Sequence, residues 1–445
     1  MRWKTTTGLA SPAARSTPVG REAVVDLARV TAPKAPRDAP PRFSHPGQWE
    51  MSDFADWAQV SALVAPLYAK AAALALASPL KAEAARIAAA TPDPKARAGL
   101  ALQLVQKQIR YLFLAMNLGG YTPADADVTW ARRFGDCKGK TVLLLALLRQ
   151  LGIEAEPALV STAFGDGMDE RVPMLGWFDH VLVRATIGGK PYWLDGTRLG
   201  DRDIDAIPAP GFRWALPVRA AGASLEKIDQ PPFDQPRTEV VVHLDATGGL
   251  DRPAAARAEE ILRGDSGQFM HLALASLGDA DARRDVREFW RSAYPWITAA
   301  DVGFNWDEAS GVTRLTMTGA ATMDWVTAGA SRQFRIGESG LGADTSFKRE
   351  PGPDDDAPFA VTYPAFDKWS VTVALPDGGD RFRLGGGADV DRTIAGVAYQ
   401  RRSRLQGGVV TMVASTRAVV SEFPFSRGVE AQAALRDLAA SDVVI

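Results

Sequence analysis

The chain has 445 residues, of which 46% are hydrophobic, and its 51 basic and 53 acidic residues leave a net charge of −2. It is too long for one ordinary domain and apolar enough for real cores, while the charge balance gives no electrostatic ground for a nucleic-acid or anionic-membrane partner. A single cysteine, Cys137, excludes an intrachain disulfide or a Cys-rich metal site, and the four histidines (His45, His180, His243, His271) include no pair at metal-ligand spacing, so no metal and no other cofactor is expected.

Residues 1–48 are rich in Pro, Ala, Thr and Arg without periodicity and read as a loop or extended arm. Their first residues, Met-Arg-Trp-Lys-Thr-Thr-Thr, lack the apolar segment of a signal peptide, and no apolar run of about 18 residues marks a transmembrane segment. From Ser52 onward, Phe54, Trp57, Val60, Leu63, Val64 and Leu67 recur at helical spacing. A second helix is predicted over 80–90, before Thr91-Pro92-Asp93-Pro94, and a third from Lys95, carrying Leu100, Leu104 and Ile109. Gly119-Gly120-Tyr121-Thr122-Pro123 reads as a loop.

The next stretch, 133–152, carries the cysteine. Gly135-Asp136 looks like a turn followed by a helix N-cap, residues 141–151 are almost all Val, Leu or Ala, and Gly152 is a stop signal. A helix that is apolar all round is a buried helix. Cys137 is therefore expected in the first turn of a helix driven into a core, facing the positive end of the helix dipole with Lys138 and Lys140 nearby, conditions that favour a thiolate. The unpaired N–H groups of that turn could stabilise an oxyanion. The plainer alternative is that Cys137 is a small buried hydrophobe.

Past Gly152, residues 155–161 read as a buried strand and 165–171 as a polar Gly-rich loop. Residues 180–187 and 191–195 read as two strands around a Gly188-Gly189 turn. A Pro-rich linker is expected over 208–236. Beyond it, strands are predicted at 240–244, 312–318, 370–375 and 409–413, and helices at 282–293 and 429–438, with 351–358 an acidic Pro-rich loop. Nothing in this half translates into chemistry.

The hairpin has a register that can be worked out. If Gly188-Gly189 is a two-residue turn, Ile187 pairs with Lys190 and Asp195 lies opposite Leu182, on the face that also carries His180. Diagonal neighbours on one face are within reach of a carboxylate–imidazole hydrogen bond. Asp195 could then fix the tautomer of His180, whose other nitrogen could take a proton from a thiol. Taken singly, His180 could be a satisfied strand histidine and Asp195 a turn residue.

Gly135-Asp136-Cys137-Lys138, Phe178-Asp179-His180-Val181 and Tyr192-Trp193-Leu194-Asp195 resemble the three motifs of the transglutaminase-like superfamily. The likeness is nearest to bacterial members in which this domain follows an N-terminal β-sandwich domain. It covers roughly residues 49–228, including familiar segments at 52–68 and around Tyr121. The resemblance implies an α+β, papain/transglutaminase-like domain at 49–228, its cysteine helix packed on an antiparallel sheet; the strand pattern beyond it reads as a β-rich domain at 229–445. Residues 1–48 would be an extended arm, the remnant of the sandwich domain. By resemblance Cys137 is the nucleophile, His180 the general base and Asp195 the orienting carboxylate. Gly139 stands where the group usually has Asp. Relatives commonly carry an export signal, so the resemblance implies an extracytoplasmic, periplasmic protein, and a truncated or mis-started chain would explain both missing features.

Two functions follow from these residues. In the first, Cys137 attacks the carbonyl of a polypeptide or amide substrate and forms a thioester, resolved by water (a peptidase or amidase) or by an amine (an acyltransferase). No Asp-rich calcium loop is present, so no calcium requirement is expected. In the second, the domain is a catalytically inactive scaffold or protein-binding module.

Overall fold

Polar caps set where the helices begin. In the computed structural model, which describes residues 2–6, 9, 11–25, 33–113, 120–337, 341–387 and 389–445, the Asp56 carboxylate accepts from the N–H of Gln59 at the start of α1 (Trp57–Ala71). Ser78 caps α2 (Pro79–Ala90) and Asp93 caps α3 (Pro94–Gln108), each with proline in the first turn, where its missing N–H costs nothing. Two helices follow, α4 (Ala126–Arg132) and α5 (Cys137–Gln150). Gly119 of the expected loop lies outside the described residues.

The chain divides into two compact units: Met1–Gln230 with Glu350–Asp355, and Pro231–Arg349 with Asp356–Ile445. In the first, five antiparallel strands form one sheet in the order Glu226–Lys227, Trp214–Pro217, Glu154–Val160, His180–Ile187, Lys190–Leu194. Helix α5 packs on the strands Glu154–Val160 and His180–Ile187, and α2, α3 and α4 pack against it from other sides. Every residue from Cys137 to Leu148 is buried. The Thr141 hydroxyl donates to the Val181 carbonyl at 3.0 Å and ties helix to strand. The Gly188-Gly189 turn has φ of +61° and +77°, the two left-handed residues a type I′ turn requires. Ile187 pairs with Lys190 and Val183 with Leu194, the register expected from the sequence.

Two sequence expectations are corrected in this unit. Residues 208–236 are not all linker: Trp214–Pro217 is an interior strand paired with Glu154–Val160, and Ala215 and Leu216 are fully buried. Prolines there mark strand ends and turns. Residues 1–48 are not wholly an arm either. Arg2–Thr5 pairs with Trp49–Ser52, and Ala13–Thr17 forms a hairpin with Gly20–Val24. Helix α1 accordingly starts at Trp57, because Ser52 belongs to a strand. These short pairs are held by backbone bonds and leave no apolar period to read. Glu50, almost fully buried, pairs with Arg171 at 2.6 Å and anchors this region to the loop after the strand Glu154–Val160.

The second unit is built on an eight-stranded sheet, in the order Ile297–Asp307, Val312–Ala321, Ala254–Arg263, Thr238–Asp245, Phe366–Ala374, Val409–Ala418, Val397–Gln406, Val390–Ile394. All neighbours are antiparallel except Thr238–Asp245 with Phe366–Ala374. Its helices are α6 (Asp265–Ala275), α7 (Asp279–Ala293) and α8 (Gly428–Ala439). Helix α7 buries Ala282, Val286 and Trp290, one apolar stripe at four-residue spacing, against the strand Ile297–Asp307. The expected strands and both expected helices fall on these elements, and α6 was not read from the sequence. Among the described residues no helix is long and apolar enough to cross a membrane.

Candidate active site

The site is built where α5 begins. Asp136 is its N-cap, and Oδ1 of its carboxylate accepts from the Gly139 N–H at 2.9 Å. Its Oδ2 lies 2.5 Å from the Lys138 ammonium in a pair with almost no solvent exposure. The Lys140 ammonium donates to the Ile109 carbonyl at 2.6 Å. Burial pulls the Lys140 pKa down to about 8, against the opposing field of Asp195. The two lysines expected to act on the thiol are thus engaged elsewhere, one with a cap and one with a carbonyl. Cys137 is 3% exposed, at the first position of the helix, with the dipole's positive end beside it.

His180 opens its strand, and Asp195 directly follows the returning strand Lys190–Leu194. His180 Nε2 and Asp195 Oδ2 are 2.8 Å apart, and both residues are buried. The other carboxylate oxygen accepts from the backbone N–H of Thr197 at 2.8 Å and from its hydroxyl at 2.7 Å. The Cys137 side chain lies close enough to the His180 ring to act on its charge. Burial pushes the His180 pKa down, but Asp195 and Cys137 outweigh it and raise it to about 10. For Asp195, burial is likewise outweighed by His180 and Thr197, which hold its carboxyl below the usual range. The three residues singled out in the sequence therefore meet at one place. With Nε2 committed to Asp195, Nδ1 is the ring nitrogen left for the thiol.

Several residues around them were not found by sequence reasoning. Gln106 on α3 is buried, donates from Nε2 to the Asp195 carbonyl at 3.0 Å and to Asp201 Oδ2 at 2.8 Å, and accepts from the Asp201 N–H at 3.1 Å. Arg198 Nε bonds Asp201 at 3.0 Å. This network fixes the chain that carries Asp195, and nothing in local sequence links residues 106 and 201. Thr197 did carry a signal, since Asp-x-Thr is the spacing at which a carboxylate accepts from its own turn.

Two aromatic groups border the site. Tyr111 pairs with Gly135 and Leu112 N–H donates to the Gly135 carbonyl at 3.0 Å, which brings 111–113 beside the cysteine turn. Burial, then the charges of Cys137, Asp195 and Asp136, push the Tyr111 phenol up to about 12. The Phe212 ring lies 5.7 Å from the His180 ring, tilted by 46°.

No family model matches the chain, and no curated protein matches it. A candidate cysteine protease from Cytophaga hutchinsonii aligns with 30% of this chain and 42% of its own at 20% identity, with a TM-score of 0.22, too low to inform the fold. The crystal structure of a candidate protease from Parabacteroides distasonis superposes over 99% of this chain and 69% of its own, at 13% identity and a TM-score of 0.55. At that identity the likeness is one of fold: the chain shares its mixed helix-and-sheet architecture, large sheet included, with that protein.

Proposed function

We propose that the first unit is a papain/transglutaminase-like cysteine centre for acyl transfer or amide hydrolysis, with Cys137 as nucleophile, His180 as general base and acid, and Asp195 as the carboxylate that orients His180. The observation that carries this reading is the buried His180 ring, bonded through Nε2 to Asp195 at 2.8 Å and within electrostatic reach of Cys137 at the start of a buried helix. The sulfur, having passed its proton to His180, attacks the carbonyl carbon of a polypeptide or amide substrate. The C–N bond then breaks, the amine leaves with that proton, and a thioester remains on Cys137. The N–H of Cys137 has no acceptor within the helix and is available to the oxyanion. His180 is set to hold an imidazolium, because Asp195 and the sulfur flank it with negative charge.

The expected result is an acyl-enzyme. Incubation with p-nitrophenyl acetate at neutral pH should add an acetyl mass to the peptide containing Cys137, with a burst of nitrophenolate, and Cys137→Ala should show neither. A wild-type protein that stays unlabelled would contradict the reading.

A further inference from the structure

The Phe212 ring is presented to His180 by an unusual piece of backbone. Arg213 has φ of +64°, a conformation that side-chain-bearing residues rarely adopt, and the Trp214 N–H donates to the Phe212 carbonyl at 2.6 Å. A bond between residues two apart across a positive-φ centre is a γ-turn of the rare, strained kind. Such strain persists only where the surroundings over-determine it. Here they do. The Ile228 N–H donates to the Arg213 carbonyl at 2.8 Å, and Gln230 Nε2 donates to the Ala209 carbonyl at 3.1 Å. Gly165 lies so near that a Cβ there would come within 2.1 Å of the Phe212 carbonyl oxygen. The half-buried ring packs on the small cluster of Ala158, Val160, Leu182, Ala215 and Ile228 and stays in ring contact with the imidazole.

Three separate features thus converge on one side chain: the ring contact, the strained turn and the close glycine. The core cluster does not require them, since a phenylalanine on an ordinary turn could pack there. His180 is the group through which the second half of the proposed reaction must pass. The incoming acceptor has to approach the thioester within reach of the base. Phe212 is the ring that contacts this base, whereas residues 111–113 lie beside the cysteine turn.

We infer that Phe212 is a specificity-determining residue for the acyl acceptor, giving the acceptor path an apolar wall that favours an amine on an apolar stem over water or a short amine. This inference rests on the thioester reading above. In the step concerned, the acceptor nitrogen forms a bond to the thioester carbonyl carbon as its proton moves to His180. The C–S bond breaks and the sulfur leaves as a thiolate paired with the imidazolium, so that an amide is released and the starting pair is restored. Water takes the same route and releases the carboxylic acid.

The test uses the full chain, p-nitrophenyl acetate as acyl donor, and methylamine or n-butylamine, two amines of nearly equal basicity, as acceptors. N-alkylacetamide and acetate are quantified for each. Burial of one methylene is worth about fourfold. Wild type should therefore partition toward amide at least about fourfold better with n-butylamine than with methylamine, and Phe212→Ala should reduce that preference to about one. Phe212→Leu, which keeps an apolar side chain if the alanine variant fails to fold, should retain an intermediate preference. Gly165→Ala, which must displace the turn, should also lower it. Damage of a merely structural kind would slow both amines alike and leave their ratio intact. A burst with equal preference in wild type and both Phe212 variants would overturn the inference and leave the thioester reading standing. Absence of a burst in wild type would overturn both.

Discussion

His180→Ala is expected to reduce turnover of an amide or ester substrate by roughly 10²–10⁴-fold, the range a positioned general base supplies. The imidazole is bonded to Asp195 and lies within electrostatic reach of Cys137, so its loss leaves the thiol proton without a place to go and Asp195 with no group to orient. Asp195→Asn tests the orienting bond separately. An amide at that position can donate to Nε2 rather than accept from it, which favours the wrong tautomer, and in serine triads that exchange costs about 10⁴-fold. Turnover should therefore fall far more than iodoacetamide alkylation of Cys137, because the base is mis-oriented but still present. Steady-state rates of the two variants, set against the alkylation rate of each, would check this. Equal falls in both rates for Asp195→Asn would mean that Asp195 acts on the thiol's ionisation and not on the direction of the imidazole.

The second large effect concerns the helix that holds the cysteine. Leu145 is completely buried within α5, whose flanks are covered by the sheet on one side and by other helices elsewhere. Leu145→Ala removes apolar contacts and leaves a cavity that packed neighbours cannot fully close, at a cost of roughly 2–5 kcal/mol. For a unit of this size that corresponds to a fall in Tm on the order of 10 °C. Leu76→Ala is the control, since Leu76 is 97% exposed. Such a surface change should stay within about 0.5 kcal/mol. Denaturant melts of both variants give the comparison. A Leu145→Ala loss no larger than that of Leu76→Ala would show that α5 is peripheral to the core.

These two expectations draw on the parts of the chain where sequence and structure speak most directly. Residues 142–148 are apolar on every side of the helix, which leaves a buried position as the only stable one, and the Asp136 cap marks the helix start. The hairpin was legible because Gly188-Gly189 permits a two-residue turn, and such a turn fixes the register that sets Asp195 beside His180. The interior strand Trp214–Pro217 escaped notice for the opposite reason. Four residues between prolines and glycines carry no period, and their place in the sheet comes from pairing with the distant strand Glu154–Val160. The N-terminal strand pairs were missed because Ala, Arg, Ser and Thr on exposed ribbons give no hydrophobic signal. Lys138 and Lys140 were assigned by proximity in sequence to the thiol, yet a buried ammonium needs its own acceptors, and Asp136 and the Ile109 carbonyl supply them. The Gln106–Asp201 bonds and the approach of Phe212 to His180 arise only in the folded chain.

The central claim is that Cys137 and His180 act as one coupled pair, and the titration of the His180 ring tests it most directly. Burial alone would lower the His180 pKa, but Asp195 and Cys137 raise it from 6.5 to about 10, so the ring in the folded protein holds its proton across the neutral range and releases it only as the pH rises through about 10. In wild type the NMR resonances of the His180 ring should therefore shift with a midpoint of about 10. Cys137→Ala removes the contribution of the sulfur and should lower that midpoint. The same midpoint in wild type and in Cys137→Ala would contradict the account.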